Sequence, residues 1–465
     1  MTTPVLRQEL SAPQLFTLGF GCIIGVGWII LVGAWLASAG SLGAILAFAL
    51  GGGGMLLIGL CYCAAYADFP VAGGEVAYCY GWFGLRAAFV AGWILVLTFS
   101  IGCAFEAISV GWLLAELVPQ LSGPVLYGVW GGEVHAGRLA IGLALMLLIA
   151  VINWLGVQAT ARLQDLITWG LVAMTAVCIG VALWNGAVAN LVPLFPAGSA
   201  VAGFLSVLAM VPMFYLGFNV IPQAVAEKSE RVGTRQVALT IVLALLGAML
   251  FYVLIILMTA SAVPREELLG EELPAYTAVS AAFGSTGAGK LVLVAGLLGL
   301  LSTWNAIFYA STRTLLVLAR AGTIPAGLAA IDARFRTPAA AIALTAVIGA
   351  AGTLLGPAAL VPMVSGLGTA MTLVFAMIAL GVLITRSRRG AAGRLVPAAA
   401  LLVALALLAN GLIQAGINSA VPLPPEWVLL AIWSLLGLLL WLAAGSWRRA
   451  VPEAERRRIL LPAPE

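Results

Sequence analysis

Of the chain's 465 residues, 63% are hydrophobic and 9% are charged. Soluble domains carry about 25% charged residues, so a soluble enzyme or binding module is excluded and an all-α integral membrane protein is implied. The net charge of +4 signals no nucleic-acid partner; the expected partners are the lipid bilayer and a small-molecule substrate.

Breaks at charge, proline and glycine clusters divide the chain into twelve apolar segments of spanning length. They lie near 15–38, 43–67, 86–118, 138–156, 165–185, 200–226, 236–262, 290–320, 338–356, 360–384, 395–417 and 427–447. The first follows a short N-terminus, residues 1–14, and lacks a small-residue cleavage site, so it reads as a retained span and not a signal peptide. An even number of spans leaves both termini on one side. Nineteen of the 22 Lys and Arg residues fall on one set of alternate loops, against only Arg138, Arg265 and Lys290 on the other. The positive-inside rule then expects both termini to be cytoplasmic, in a multi-pass protein of the cell (inner) membrane.

The first segment contains Gly21-Cys22-Ile23-Ile24-Gly25-Val26-Gly27-Trp28. Glycine costs roughly 1 kcal/mol relative to alanine inside a helix. Two readings follow: a helix broken at mid-bilayer around Gly25-x-Gly27, or a small-residue seam for close helix packing. Gly51-Gly52-Gly53-Gly54 in the second segment lacks the Lys-Ser/Thr of a phosphate loop and reads as close packing; no organic cofactor motif is present. Glu106 stands in the third segment with uncharged residues around it. A carboxylate at that depth costs about 3 kcal/mol, so it should face a cavity or a partner. It pairs with a substrate amine, carries a proton, or is a protonated acid bonded to a neighbouring helix. His135, the single histidine, falls in the next loop and excludes histidine triads and metal clusters, and the six cysteines have no zinc spacing and read as buried free thiols.

Segment six supplies a second break, Pro212-Met213-Phe214-Tyr215-Leu216-Gly217-Phe218-Asn219 followed by Pro222. Segments one and six open two five-helix blocks, residues 15–185 and 200–384, and an odd number of spans inserts the second block upside down. Paired broken helices in inverted halves point to a secondary transporter with its site at the midplane. The N–H groups of Val26, Gly27 and Trp28 would hold a carboxylate; carbonyls near Ile23, Ile24, Phe214 and Tyr215 would accept an ammonium. The loop around 263–289, with Glu266, Glu267, Glu271 and Glu272, is expected to hold a short helix and reads as a solvated acidic loop or a gate. After the two last spans, residues 395–447, the basic tail 448–465 sets Arg456-Arg457-Arg458 beside Ile459-Leu460-Leu461 and reads as attracted to anionic headgroups.

These residues also resemble a family. The run Tyr66-Ala67-Asp68-Phe69-Pro70-Val71-Ala72-Gly73-Gly74-Glu75-Val76-Ala77-Tyr78, closing on Phe83-Gly84, resembles a signature of the amino acid–polyamine–organocation superfamily. So do Gly25-Val26-Gly27, the turn Ala161-Arg162-Leu163-Gln164, and Ser311-x-Arg313 followed by Ala319-Arg320-x-Gly322-x-x-Pro325. The resemblance covers segments one to ten and implies the LeuT-like fold, with two helices appended. It also implies that an amino acid carboxylate sits on the segment-one glycines. Trp28 stands where smaller or aliphatic residues are common in the family, and either stacks on substrate or fills space.

Two departures bear on the driving ion. Gly217-Phe218 is followed by Asn219 where many relatives carry an acid, and Thr168-Trp169-Gly170-Leu171-Val172 lacks the lysine that replaces sodium in many others. Gly299, Ser302 and Thr303 share one helical face, and with carbonyls of Gly21 and Ile24 they match the sodium-binding positions of LeuT-like symporters. Hydroxyls at such spacing also serve helix packing. Asn153, Asn305, Asn410 and Gln414 read as interhelical hydrogen-bonders. The expectation is a permease that takes up an amino acid by alternating access, with a sodium ion as the candidate coupling ion and no other cofactor. The alternative is a permease or exchanger for an amine or polyamine, proton-coupled, with Glu106 as counter-charge. A membrane enzyme would need clustered His, Cys or paired acids, and a channel a repeated filter motif.

Overall fold

The computed structural model describes residues 9–71, 73–196, 198–269, 271, 273–386, 392–418 and 423–461. Arg7, Glu272, Arg388 and Arg389 lie outside the described residues. Helix α1 (Ala12–Ile23) starts where Gln14 Oε1 accepts from the Ser11 N–H at 3.0 Å, a reciprocal cap. The chain leaves the helix over Ile24–Val26 and resumes as α2 (Gly27–Asp68). Within this range two helices meet at Gly40, φ 73 and ψ 178, where the chain turns a corner, so the boundary expected near 39–42 falls at that kink. A Cβ at Gly40 would stand 2.6 Å from the Leu194 carbonyl oxygen, and that carbonyl accepts the N–H groups of Leu42 and Gly43 at 3.1 and 3.3 Å. Only glycine fits such a corner.

Short α3 (Gly74–Phe83) lies between spans and leads into α4 (Leu85–Leu117). A hairpin of β1 (Val125–Val129) and β2 (Gly132–His135) follows, placing His135 on a strand rather than in a plain loop. α5 (Ala136–Leu155) and α6 (Val157–Asn185) come next. The chain reverses at Gly156, φ 121, so Ala161–Gln164, expected as the turn, lies inside α6. α7 (Ala200–Phe214) and α8 (Val220–Ala224) flank the second break. After α9 (Thr234–Ala262), the acidic loop holds two short helices instead of one, α10 (Arg265–Leu269) and α11 (Pro274–Phe283). Then run α12 (Thr286–Arg320), α13 (Ala339–Thr353), α14 (Leu360–Arg386), α15 (Ala392–Asn418), α16 (Pro425–Ala443), α17 (Gly445–Ala450) and α18 (Glu453–Leu460).

Among the described residues nine helices are long and apolar enough to cross a membrane, and α1, α7 and α13 are shorter apolar helices. The protein is an all-α, multi-pass membrane protein, each of the twelve expected segments falling on helix. Lipid supplies no hydrophobic drive between helices, so close packing must. The glycine run of α2 does this: a Cβ at Gly51 or Gly52 would collide with Val211 or Tyr215, and one at Gly54 with Val403. Where α2, α7 and α9 meet, Trp35 packs 4.4 Å from Phe48 and 4.9 Å from Phe214, and Phe48 lies 5.0 Å from Tyr252.

The C-terminal tail differs from expectation. α18 is docked on the protein, with Leu460 fully buried, Tyr80 donating to Glu453 at 2.5 Å and Arg456 Nε donating to the Ala321 carbonyl at 3.1 Å. Two of the residues read as headgroup-seeking, Arg456 and Leu460, are thus committed to protein contacts.

Candidate substrate site

α1 stops because Ile24 adopts φ −92, ψ 81. The Ile24 N–H still reaches the Phe20 carbonyl at 3.1 Å, and the Gly25 N–H the Ile23 carbonyl at 3.2 Å. Among the described residues no acceptor is found for the N–H groups of Val26, Gly27 and Trp28. They form the open N-terminus of α2, where unpaired donors and the helix dipole favour an anion. Gly25 and Gly27 permit close approach. A Cβ at Gly27 would stand 2.5 Å from Phe214 Cε1, and one at Gly25 3.0 Å from Thr303 Oγ1 and 3.3 Å from Glu106 Oε1.

Ile23, Gly25, Val26, Gly27, Glu106 and Phe214 line one cavity of about 50 Å³, together with Thr98, Tyr252 and Thr303. Ligand pockets usually run to 300–1,000 Å³, so this one is closed down. Glu106 is 3% exposed, and its Oε2 finds no partner among the described residues.

The second break meets the first directly. α7 carries Pro212 and ends at Phe214; the Tyr215 and Leu216 N–H groups turn back to Val211 and Met213 at 3.2 and 3.1 Å. Among the described residues no donor is found for the carbonyls of Phe214, Tyr215 and Leu216. Gly217, φ 138, lies so close to α1 that a Cβ would stand 2.7 Å from the Ile23 nitrogen. Residues of both breaks, Val26 and Gly27 of one and Phe214 and Leu216 of the other, therefore line the same small cavity.

Other expected residues fall elsewhere. The Ile23 carbonyl accepts from the Tyr252 hydroxyl at 2.9 Å as well as from Gly25, so it is not free for a substrate ammonium. Trp28 is buried edge-on against Phe251 at 5.8 Å, which matches the space-filling reading. Tyr215 donates to the Phe48 carbonyl at 2.8 Å, away from the cavity, and Asn219 donates to Glu75 at 3.0 Å. Tyr252, beside Phe251 in α9, carries no local signal that sets it apart from a packing aromatic.

Around segment eight, hydroxyls of α12 meet carbonyls at the end of α1. Ser302 donates to the Gly21 carbonyl at 2.9 Å, and Thr303 to the Gly21 and Cys22 carbonyls at 3.2 and 3.1 Å. A Cβ at Gly299 would stand 2.9 Å from the Ile24 oxygen. Two α6 residues join it: Thr168 Oγ1 lies 3.3 Å from Ser302 Oγ, and Gln164 Nε2 donates to Ser302 at 2.6 Å. Asn305 donates to Gln164 Oε1 at 3.0 Å and accepts from Asn153 at 3.2 Å, which points the Gln164 amide nitrogen into the oxygens.

Apolar spans with two broken helices around a closed, mostly apolar cavity that holds one acid, Glu106, define a multi-pass membrane transporter. Residues 10–442 match the model of the amino acid permease family, and the chain belongs to that family. The match bears out the resemblance to the amino acid–polyamine–organocation superfamily; its members are permeases rather than enzymes. The chain is 25% identical over 460 residues to the branched-chain amino acid permease BcaP of Bacillus subtilis, covering 94% of this chain and 92% of that one. It is 28% identical over 354 residues to the methylthioribose transporter of the same organism, 74% of each chain. With the cationic amino acid transporter 3 of Arabidopsis thaliana it shares 27% identity over 413 residues, 82% of this chain and 63% of the relative.

Proposed function

We propose that this permease takes up an amino acid by alternating access about the two breaks, in a five-plus-five inverted arrangement. The observation that carries the reading is the pairing, among the described residues, of N–H groups without an acceptor at Val26 and Gly27 with carbonyls without a donor at Phe214 and Leu216, beside one cavity. A zwitterion matches both: its carboxylate meets the helix N-terminus, and its ammonium meets the carbonyls with Glu106 nearby. Both termini are cytoplasmic in this reading, and the protein sits in the cell membrane, on the strength of the basic-residue asymmetry. The closed cavity implies that the broken helices move apart to admit substrate.

Sodium binding at Gly21, Ile24, Gly299, Ser302 and Thr303 is the coupling reading, with oxygen ligands suited to a hard cation. A second reading rests on Glu106, whose carboxyl faces the cavity without a hydrogen-bond partner among the described residues. There the cargo is an amine and the acid its counter-charge. A thermal-shift screen of the purified protein against amino acids and matched amines, with sodium or choline, separates these readings. A ligand that binds only the folded state raises the melting temperature. Shifts from amines alone would sink the amino acid reading.

A further inference from the structure

Outside the substrate site two acids are buried among the described residues, Glu227, which Arg313 neutralises, and Glu75, which has no cationic partner. Glu75 of α3 is fully buried, and three side chains donate to it. Its Oε1 accepts from the Tyr62 hydroxyl at 2.9 Å and from Asn219 Nδ2 at 3.0 Å, and its Oε2 from Gln223 Nε2 at 2.5 Å. Among the described residues no guanidinium, ammonium or second carboxylate acts on it. The titratable groups that face it are the phenols of Tyr62 on α2 and Tyr78 on α3, and the Cys79 thiol. Arg313 of α12 is committed to Glu227 at 2.9 Å.

The acid is wired to the substrate site in two steps. Asn219 holds Glu75 through Nδ2, and its Oδ1 accepts from the Gly217 N–H at 3.2 Å. Gly217 in turn lies against the backbone of Cys22 and Ile23 at the segment-one break. Gln223 Oε1 is buried with no hydrogen-bond partner among the described residues. Gln223 thus carries a spare acceptor on the same amide that reaches Glu75 Oε2.

We propose that Glu75 is a proton-binding site that sets how firmly segment six is held at its break. With a bare carboxylate, Asn219 and Gln223 both donate to charge, and such bonds are roughly twice as strong as neutral ones. When a proton binds Oε2, the Gln223 amide turns over and its Oε1 accepts from the new O–H. The Asn219 bond becomes a neutral one, and the Gly217 turn loosens against Ile23. Burial pushes the Glu75 carboxyl above the usual carboxylate range, against the pull of its three donors, which brings the exchange toward accessible pH. The acid thus stands in contact with Asn219, the residue whose side chain cannot itself carry a proton.

The test needs no substrate, so it stands or falls apart from the amino acid reading. Infrared difference spectra of the parent protein across a pH titration should show a buried carboxyl band that appears on acidification and is lost in Glu75→Gln. Hydrogen exchange of residues 217–224, corrected for intrinsic rate, should rise over the same pH range in the parent and be pH-independent in Glu75→Gln. Asn219→Asp sets a like charge beside Glu75 and should move the midpoint upward by about one pH unit or more. It serves as the second variant if Glu75→Gln fails to fold. A carboxyl band and exchange profile unchanged in Glu75→Gln, or a midpoint unmoved in Asn219→Asp, would overturn the proposal.

Discussion

Gly27 offers the sharpest perturbation of the substrate site. A Cβ there would stand 2.5 Å from Phe214 Cε1, where ordinary contacts begin near 3.4 Å, so the ring must give by almost an ångström. Phe214 has little freedom to retreat, because Trp35 lies 4.9 Å behind it and Tyr252 and Phe48 each 5.7 Å away. Overpacking of this kind costs about 1–3 kcal/mol. If the strain is felt only when the cavity must also hold a substrate, that range is roughly 5–150-fold in affinity. Gly27→Ala should fall in this range, and Gly27→Leu, which fills the cavity of about 50 Å³, should abolish binding. Gly25→Ala is the milder control, with its nearest neighbours at 3.0 and 3.3 Å. The assay is equilibrium binding of a labelled amino acid to purified protein, with size-exclusion profile and melting temperature checking the fold. Gly27→Leu binding as tightly as the parent would refute the placement of the site.

Three other outcomes are expected. Glu106→Gln should weaken cationic substrates by tenfold or more relative to zwitterionic ones if the acid pairs with an amine, and should flatten the pH dependence of uptake if it carries a proton; no change in either leaves it structural. Replacing sodium with choline at constant ionic strength should weaken substrate binding by about 5–150-fold, a coupling of 1–3 kcal/mol, and Ser302→Ala with Thr303→Ala should erase the difference; sodium-independent affinity in the parent counts against the ion site. At the tail, the bond from Tyr80 holds the Glu453 carboxyl below the usual range, while burial and Glu453 push the Tyr80 phenol up to about 12. A depressed acid stabilises docking above its unfolded value near 4.3 and loses that contribution as pH falls further. Protease nicking around α18 should therefore rise below pH of about 4, and Tyr80→Phe should raise it already at neutral pH.

The features legible in the sequence are those that the bilayer imposes locally. Apolar length marks the spans, and paired glycines or prolines at membrane depth mark the breaks, because lipid tolerates bare backbone only around a cavity. Glu106 announced itself by the same logic. Features set by a distant partner stayed hidden. The corner at Gly40 depends on the Leu194 carbonyl, 154 positions away, and the start of α6 depends on a left-handed Gly156 rather than on charge. Nothing local distinguishes Tyr252 from a packing aromatic; its role comes from the Ile23 carbonyl. In the sequence Glu75 belongs to a signature and Asn219 stands where many relatives carry an acid; only their 3.0 Å contact joins them.

The most direct test of the central claim compares one side chain with and without its carboxylate. Competition against labelled substrate uptake in proteoliposomes would use an amino acid, its carboxamide and its decarboxylated amine. Hydrogen bonds to a charged group contribute about 1.5–3 kcal/mol each. Two such bonds from the N–H groups of Val26–Trp28 should therefore make the acid a hundredfold or more better competitor than either analogue. Equal competition by the amine would contradict a carboxylate held at the start of α2.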